Sequence, residues 1–283
     1  MTQSQKCLTL VTNLPANQSY IIKKISTLVT VEHIDKRQDN VFDVVCPADT
    51  MLTPELRQCL YRLHIDFALQ DNIRPVKKLF ISDMDSTIVI GETIDEIAEV
   101  LGIRDEISAI TAAAMRGELD FEAALAQRLA LLKGIKKETI ASIAERTKTT
   151  PGADNLLNEL NRLNIYSCLI SGGFTLFTER VSRQLGFQQH IANRFSYDGD
   201  NRLDGTWVGE LISATVKERT LITLAKDKQI SLAETIAIGD GANDQRMINR
   251  AGLGIAFYGK PLLRQSAQAE IHSGTIDNLL WFL

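Results

Sequence analysis

The sequence predicts an α/β protein: a doubly wound parallel-sheet core, a helical cap inserted into that core, and a small α+β unit ahead of it. Three observations carry this reading. From about residue 78 to 257, short apolar runs alternate with helical patterns, the rhythm of a parallel sheet wrapped by helices. Between Thr93 and Thr147 only helical patterns remain. Residues 1–72 keep an order of their own: strand, helix, two strands, helix, strand.

In that first unit, residues 8–12 read as a strand and 19–29 as an amphipathic helix. Residues 31–35 and 41–46 read as strands paired across the polar turn 36–40. Thr53 is placed to cap a helix with Pro54 in its first turn, running to about Leu63, and residues 66–70 close the unit. The order βαββαβ fits a ferredoxin-like domain. Its pattern resembles an ACT-type regulatory module, although Thr12-Asn13-Leu14-Pro15 stands where such modules often carry a glycine. Packing or homodimerisation is its expected role. Pro75 disfavours a helix through the next junction. The expected domains are therefore 1–72, a core made of 76–92 and 148–283, and a cap over 93–147.

Core strands are expected at 78–82, 165–170, 235–239 and 253–257, with a weaker one near 269–272. Helices are expected at 153–163, 174–185, 214–227 and 243–250, and Gly186 suits the end of the second. Residues 195–208, centred on Asp198-Gly199-Asp200, read as a hairpin. Four helical stretches, at 93–101, 105–115, 120–132 and 137–146, fill the inserted cap.

Composition narrows the function classes. A chain of 283 residues, 45% hydrophobic, can bury more than one core. Its net charge is −4 and no basic block stands out, which argues against a nucleic-acid partner. Cys7, Cys46, Cys59 and Cys168 are widely spaced, and His33, His64, His190 and His272 are isolated. Reduced thiols are the expectation, with no zinc set. No apolar run reaches the ~18 residues that a membrane helix needs. A soluble, cytoplasmic protein with a small-molecule partner is expected.

The chemistry begins where the strand at 78–82 ends. Asp83 and Asp85 stand one residue apart at that point, where open α/β sheets place their ligands. Ser171-Gly172-Gly173 follows the next core strand, and a hydroxyl with close backbone N–H groups suits an anion. Gly239-Asp240-Gly241-Ala242-Asn243-Asp244 follows a third strand. Hard carboxylate oxygens without His or Cys favour Mg²⁺. Asp83 and Asp240 bring charge for the ion, Ser171 and Lys217 bring donors for a phosphate, and Asp85 adds a second carboxylate. Phosphoryl transfer depends mainly on such positioning and charge neutralisation, and an aspartate can serve as its nucleophile.

In this order the four motifs resemble the haloacid dehalogenase superfamily. Asp83 to Glu92 (DMDSTIVIGE), the cap segment Met115 to Phe121 followed by Arg128, and Ser171-Gly172-Gly173-Phe174 resemble its phosphoserine phosphatase branch with an N-terminal extension. The resemblance implies Mg²⁺-dependent hydrolysis of O-phospho-L-serine through an aspartyl-phosphate, the last step of serine biosynthesis. Asp83 would be the nucleophile and Asp85 the acid and base. The metal would sit on Asp83, Asp240 and the Asp85 backbone carbonyl. Ser171, the Gly172 N–H and Lys217 would hold phosphate oxygens, and Asn243 would contact phosphate or ordered water. Asp244 would orient Lys217 and the metal's waters, and Thr87 would fix the loop. Glu92 would pair the substrate ammonium, Arg128 its carboxylate, and Met115 and Phe121 would form an apolar lid. Glu218 departs from the family, where many members carry a small residue. Three alternatives stay open: a phosphotransferase using an alcohol acceptor such as homoserine, a phosphatase for another small phosphomonoester, and a non-catalytic amino-acid sensor.

Overall fold

The computed structural model describes residues 5–13 and 18–283, apart from the side chains of Gln18 and Met115. The N-terminal unit runs β1 (Gln5–Thr12), α1 (Gln18–Ile25), β2 (His33–Gln38), β3 (Val41–Pro47), α2 (Pro54–Arg62) and β4 (Ile65–Asp71). The expected βαββαβ order is found, with β1 central and antiparallel to both β3 and β4. Among the boundaries that moved, two have clear local reasons. The first helix stops at Ile25, where the Ser26 and Thr27 hydroxyls donate to the Ile22 and Lys24 carbonyls and compete with its continuation. Lys36 to Gln38 belong to β2 and not to a turn. This is an edge strand, exposed on both faces, so its polar residues carry no alternation.

The core begins with β5 (Leu79–Ser82). Four cap helices follow: α3 (Thr93–Leu101), α4 (Arg104–Met115), α5 (Phe121–Leu131) and α6 (Lys137–Ala144). Asp120 caps α5 by accepting the Ala123 N–H at 2.8 Å, a shortfall of one residue from the expected start. The chain leaves and re-enters the core side by side. Val89 and Thr149 form an antiparallel bridge, the Ile90 N–H donates to the Lys148 carbonyl, and the Thr150 N–H donates to the Ile88 carbonyl, both at 2.9 Å.

After the cap come α7 (Ala153–Arg162), β6 (Tyr166–Phe174), α8 (Thr175–Leu185), β7 (Gln189–Tyr197) and β8 (Leu203–Val208). Then α9 (Ala214–Asp227), β9 (Thr235–Gly239), α10 (Gln245–Arg250), β10 (Leu253–Phe257), α11 (Pro261–Ser266) and β11 (Ala269–Ile271) lead to a final 3₁₀ turn, Ile276–Phe282. Strand β6 runs past its expected end, through Gly172 and Gly173, with a shift in its pairing to β7 between Ser171 and Phe174. The expected hairpin at 195–208 is real, but its first arm starts at Gln189.

All eleven strands form one sheet in the order β2-β3-β1-β4-β11-β10-β9-β5-β6-β7-β8. From β11 to β7 the neighbours are parallel, and β4 joins antiparallel to β11. Strand alternation sends Phe80, Leu169, Ile236 and Ile255 to one face, against Leu156, Leu160 and Phe177 from α7 and α8. Leu79, Ile81, Cys168 and Ala237 face the other way, against Val216, Leu221 and Met247 from α9 and α10. No helix among the described residues is long and apolar enough to cross a membrane.

Candidate active site

Parallel strands end together, and here β5, β6 and β9 deliver their following residues to one rim. The Asp83 N–H donates to the Ile238 carbonyl of β9 at 3.0 Å, which fixes where the loop departs. The Met84 N–H then donates to Asp83 Oδ1 at 2.8 Å, turning that carboxylate back over the strand end. Asp85 accepts the Thr93 N–H on Oδ1 at 2.9 Å and the Ser171 hydroxyl on Oδ2 at 3.1 Å. Ser171 Oγ in turn accepts the Gly173 N–H at 2.8 Å. Gly173 is closely packed: a Cβ there would stand 3.0 Å from both Asp85 Oδ2 and Ser171 Oγ, so either side chain would have to shift by a few tenths of an ångström.

Lys217 reaches the same rim from α9, wholly buried. Its ammonium lies 2.6 Å from Asp83 Oδ1 and 2.7 Å from Asp244 Oδ1. Burial alone would depress this ammonium, but the Asp83 and Asp244 carboxylates outweigh it and hold Lys217 above its ordinary value. The lysine is therefore charged, and two carboxylates share it. Burial and the neighbouring Asp244 push Asp83 well above the usual carboxylate range, with Lys217 opposing. Burial raises Asp85 as well, against the bonds from Thr93 and Ser171. Asp244 Oδ2 accepts the Gly241 N–H at 3.2 Å, and a Cβ on Gly239 would collide with the Asp244 carboxyl.

A cavity of about 250 Å³ opens above these groups. Asp83, Asp85, Gly172, Asp240 and Asn243 line its floor, and Glu92, Phe121 and Arg128 line it from the cap side. Burial raises Glu92, aided by Asp85 and Asp240, while its Oε1 accepts the Ser86 hydroxyl at 3.1 Å. Arg128 is more than half buried; its Nε donates to the Ala124 carbonyl at 3.2 Å. Phe121 stays 47% exposed, so it stands at the mouth and does not seal it.

Most expected site residues thus meet around one cavity. Ser171 and Lys217 lie just behind its wall, bonded to Asp85 and Asp83. Thr87 does not line it: its N–H turns back to the Met84 carbonyl at 3.2 Å, and its buried hydroxyl has no partner. The Met115 side chain lies outside the described residues. Glu218 sits at the surface, bonded to Arg246 at 2.8 Å, and leaves the site untouched.

Two positions at the site escaped the sequence. Lys260 lines the cavity and pairs with Asp240 Oδ2 at 3.2 Å. Its signal was position, in a loop just beyond the carboxyl end of β10. Asn193 is buried in β7, donates to the Gly172 carbonyl at 2.7 Å and accepts the Ile212 N–H at 2.9 Å. No local pattern marks it.

The donor set fits a hard divalent cation. Asp83, Asp240 and Asp244 are buried and each offers a carboxylate oxygen, all within 4.8 Å of one another. The third carboxylate of this cluster is Asp244, which the sequence assigned to orienting Lys217 and the metal's waters. The Asp85 carboxylate points to Thr93 and Ser171, in keeping with a metal role assigned to its backbone carbonyl alone.

Residues 77–252 match the family of haloacid dehalogenase-like hydrolases. Among curated proteins, the chain is 40% identical over 226 residues to a phosphoserine phosphatase of Archaeoglobus fulgidus, covering 79% of this chain and 65% of that one. It is 40% identical over 210 residues to a phosphoserine phosphatase of Streptomyces coelicolor, across 74% of this chain and 51% of the relative. It thus spans from about half to two thirds of these two relatives. A phosphoserine phosphatase of Methanocaldococcus jannaschii is matched at 38% identity over 73% of this chain and 98% of its own length. In three dimensions, a haloacid dehalogenase family hydrolase from Salmonella enterica serovar Typhi superposes with a TM-score of 0.89 at 29% identity, over 98% of this chain and 97% of that one. A substrate-bound phosphoserine phosphatase complex and a phospho-aspartyl intermediate analogue of phosphoserine phosphatase each superpose at 0.68 with 37% identity, over 74% of this chain and all of theirs. Sequence, rim geometry and architecture agree, and the chain belongs to the haloacid dehalogenase-like hydrolases, in their phosphoserine phosphatase branch.

Proposed function

We propose that this chain hydrolyses O-phospho-L-serine to serine and inorganic phosphate, with Mg²⁺ as its metal and Asp83 as its nucleophile. The observation that carries the reading is the cavity itself. Two carboxylates at the end of β5 face a cap wall bearing one acid, Glu92, and one guanidinium, Arg128. Phosphoserine carries the complementary set: a phosphate, an ammonium and a carboxylate.

In the first half-reaction an Asp83 oxygen attacks phosphorus, the bond from phosphorus to the serine oxygen breaks, and Asp85 gives that oxygen its proton. In the second, water attacks phosphorus, Asp85 takes its proton, and the acyl-phosphate bond breaks to return Asp83 and release phosphate. Thr93 keeps Asp85 aimed at the reacting atoms, and the Ser171 hydroxyl, which otherwise donates to Asp85, turns its one proton to a phosphoryl oxygen when substrate enters. The positive charge of Lys217, with the Ser171 hydroxyl, the Gly172 N–H and Asn243, offsets charge on the phosphoryl oxygens. Asp83, Asp240 and the Asp85 backbone carbonyl, with Asp244 beside them, would hold the cation, which when bound supplies further neutralisation of phosphoryl charge. Arg128 grips the serine carboxylate and Glu92 its ammonium.

The test is phosphate release from L-phosphoserine, phosphothreonine and p-nitrophenyl phosphate, with and without Mg²⁺, in the wild type and in Asp83→Asn. The expected result is a kcat/KM preference for phosphoserine, dependence on the metal, and a loss of about 10³-fold or more in Asp83→Asn. Equal rates on all three substrates would sink the assignment of the cap wall. Unchanged turnover in Asp83→Asn would sink the mechanism.

A further inference from the structure

A second cavity, of about 350 Å³, lies at the opposite end of the sheet. Lys6, Leu69 and Asp71 reach it from the N-terminal unit, and Arg74 and Lys77 from the connecting segment. Ala233, Gly252 and Gln268, which precede β9, β10 and β11, complete the wall. The catalytic rim stands at the carboxyl ends of these strands and this cavity at their amino ends. The five residues of β9 set the two apart by roughly 16 Å.

Three cations face this space against one carboxylate, that of Asp71. Among the described residues none of the three is held by an acid. Lys6 Nζ bonds the Thr50 carbonyl at 3.0 Å, and Lys77 Nζ bonds the Ala233 carbonyl at 2.8 Å. Arg74 Nη1 is buried with no hydrogen-bond partner at all. Lys77 is only 6% exposed. Burial holds its ammonium down at about 8, Arg74 pushes the same way, and Glu234 opposes. Glu234 is engaged elsewhere, with Lys78 at 2.5 Å and the Ser231 N–H at 2.9 Å. Buried positive charge without a counter-charge is costly, and carbonyl dipoles offset little of it. A guanidinium nitrogen with nothing to donate to loses a charge-assisted hydrogen bond as well.

We propose that this cavity binds a small tetrahedral oxyanion of the inorganic phosphate or sulfate class, held by Arg74 and Lys77 with Lys6 at the rim. The anion accepts from the vacant Arg74 donor and supplies the missing charge for Lys77. Because Lys6 belongs to β1 while Ala233 and Gly252 belong to the core, the bound anion bridges the two parts of the chain and stabilises their joint.

The experiment is thermal unfolding at about 20 mM inorganic phosphate against chloride at matched ionic strength, for the wild type, Arg74→Gln and Lys77→Met. Phosphate in the catalytic cavity stabilises all three alike, so the readout is the difference between them. The expected result is a rise in Tm about 2–4 °C larger in the wild type than in either variant. Equal rises in the wild type and the variants would overturn the proposal. The two substitutions report independently, so either folded variant decides the question. Arg74→Gln touches nothing in the catalytic cavity, and its phosphatase rate without added phosphate is expected to match the wild type.

Discussion

At the scale of single residues, the site is a set of charges whose partners decide their work. Arg128 spends one donor on the Ala124 carbonyl of its own helix and keeps the rest of its fork for the cavity. Arg128→Ala is therefore expected to lower kcat/KM for phosphoserine about 10- to 100-fold while changing p-nitrophenyl phosphate turnover little. Equal losses on both substrates would show that the guanidinium only packs the cap. Asn193 acts one step back, since its amide ties Gly172 to the segment before α9. Asn193→Ala leaves the Gly172 carbonyl and the Ile212 N–H without partners. A loss of about 1–3 kcal/mol in denaturant stability is expected, together with a fall in kcat larger than any change in KM. Asp83, Asp85, Ser171 and Asp240 were legible in the sequence because polar residues abruptly follow apolar strands there. Asn193 was not, because an amide inside a polar strand looks like any exposed one until its two partners, 21 and 19 residues away, come beside it.

At the scale of elements, the hairpin β7–β8 gains a role that its sequence did not declare. The Gly134 N–H donates to the Leu203 carbonyl, and the Leu203 N–H donates to the Ile135 carbonyl, both at 2.8 Å. The Lys137 N–H donates to the Asn201 carbonyl at 3.0 Å, and Arg202 to the Gly134 carbonyl at 2.9 Å. The hairpin thus grips the loop between α5 and α6, and the stacked rings of Phe174 and Phe195, 3.7 Å apart, anchor it beside the site. The segment after β11 shows a different balance. Burial holds the His272 imidazole down at about 4, Asp66 opposes, and Arg264 and His64 assist. Its Nδ1 lies 3.5 Å from Asp66 Oδ1, yet neither ring nitrogen has a hydrogen-bond partner. That oxygen already accepts the His272 and Ser273 N–H groups, so burial outweighs the ion pair. The unfolded chain takes up this proton near pH 6.5 and the folded chain only near 4. The stability it contributes is complete above pH 6.5 and is lost as pH falls toward 4, by about 3 kcal/mol at most. His272→Phe, which keeps the edge contact with Tyr61, is expected to flatten the fall in Tm between pH 7 and 5. An unchanged slope would assign that fall to other groups.

At the scale of the whole molecule, the N-terminal unit is not a bead on a string. Strand β4 pairs with β11 through Ala68–Ala269 and Phe67–Glu270. Glu270, 1% exposed, accepts from Arg57, from the Tyr61 hydroxyl at 2.6 Å and from Arg264 at 3.2 Å. Asp66, wholly buried, takes the N–H groups of His272, Ser273 and Gly274. Removing residues 1–72 would uncover an edge strand and strand two buried carboxylates and their partners on opposite sides of the cut. Calorimetry of the full chain is therefore expected to show one transition, with calorimetric and van't Hoff enthalpies equal. Two resolved peaks would mean that the shared sheet does not couple the parts. This joint was illegible in the sequence. A three-residue strand has no period to read, and its partner lies about two hundred positions away. The alternation of core strands and helices was plain because each element there answers to its own neighbours.

The paired crossing at Val89 and Thr149 is one of two ties on the helices above the site. Both chain passages sit on one edge and are laced together, while the hairpin β7–β8 holds the loop after α5. Phe121 and Arg128 fall between those two ties along the chain. The wall they give the cavity is therefore framed from both sides, and a cut in either passage would leave the hairpin as the remaining tie.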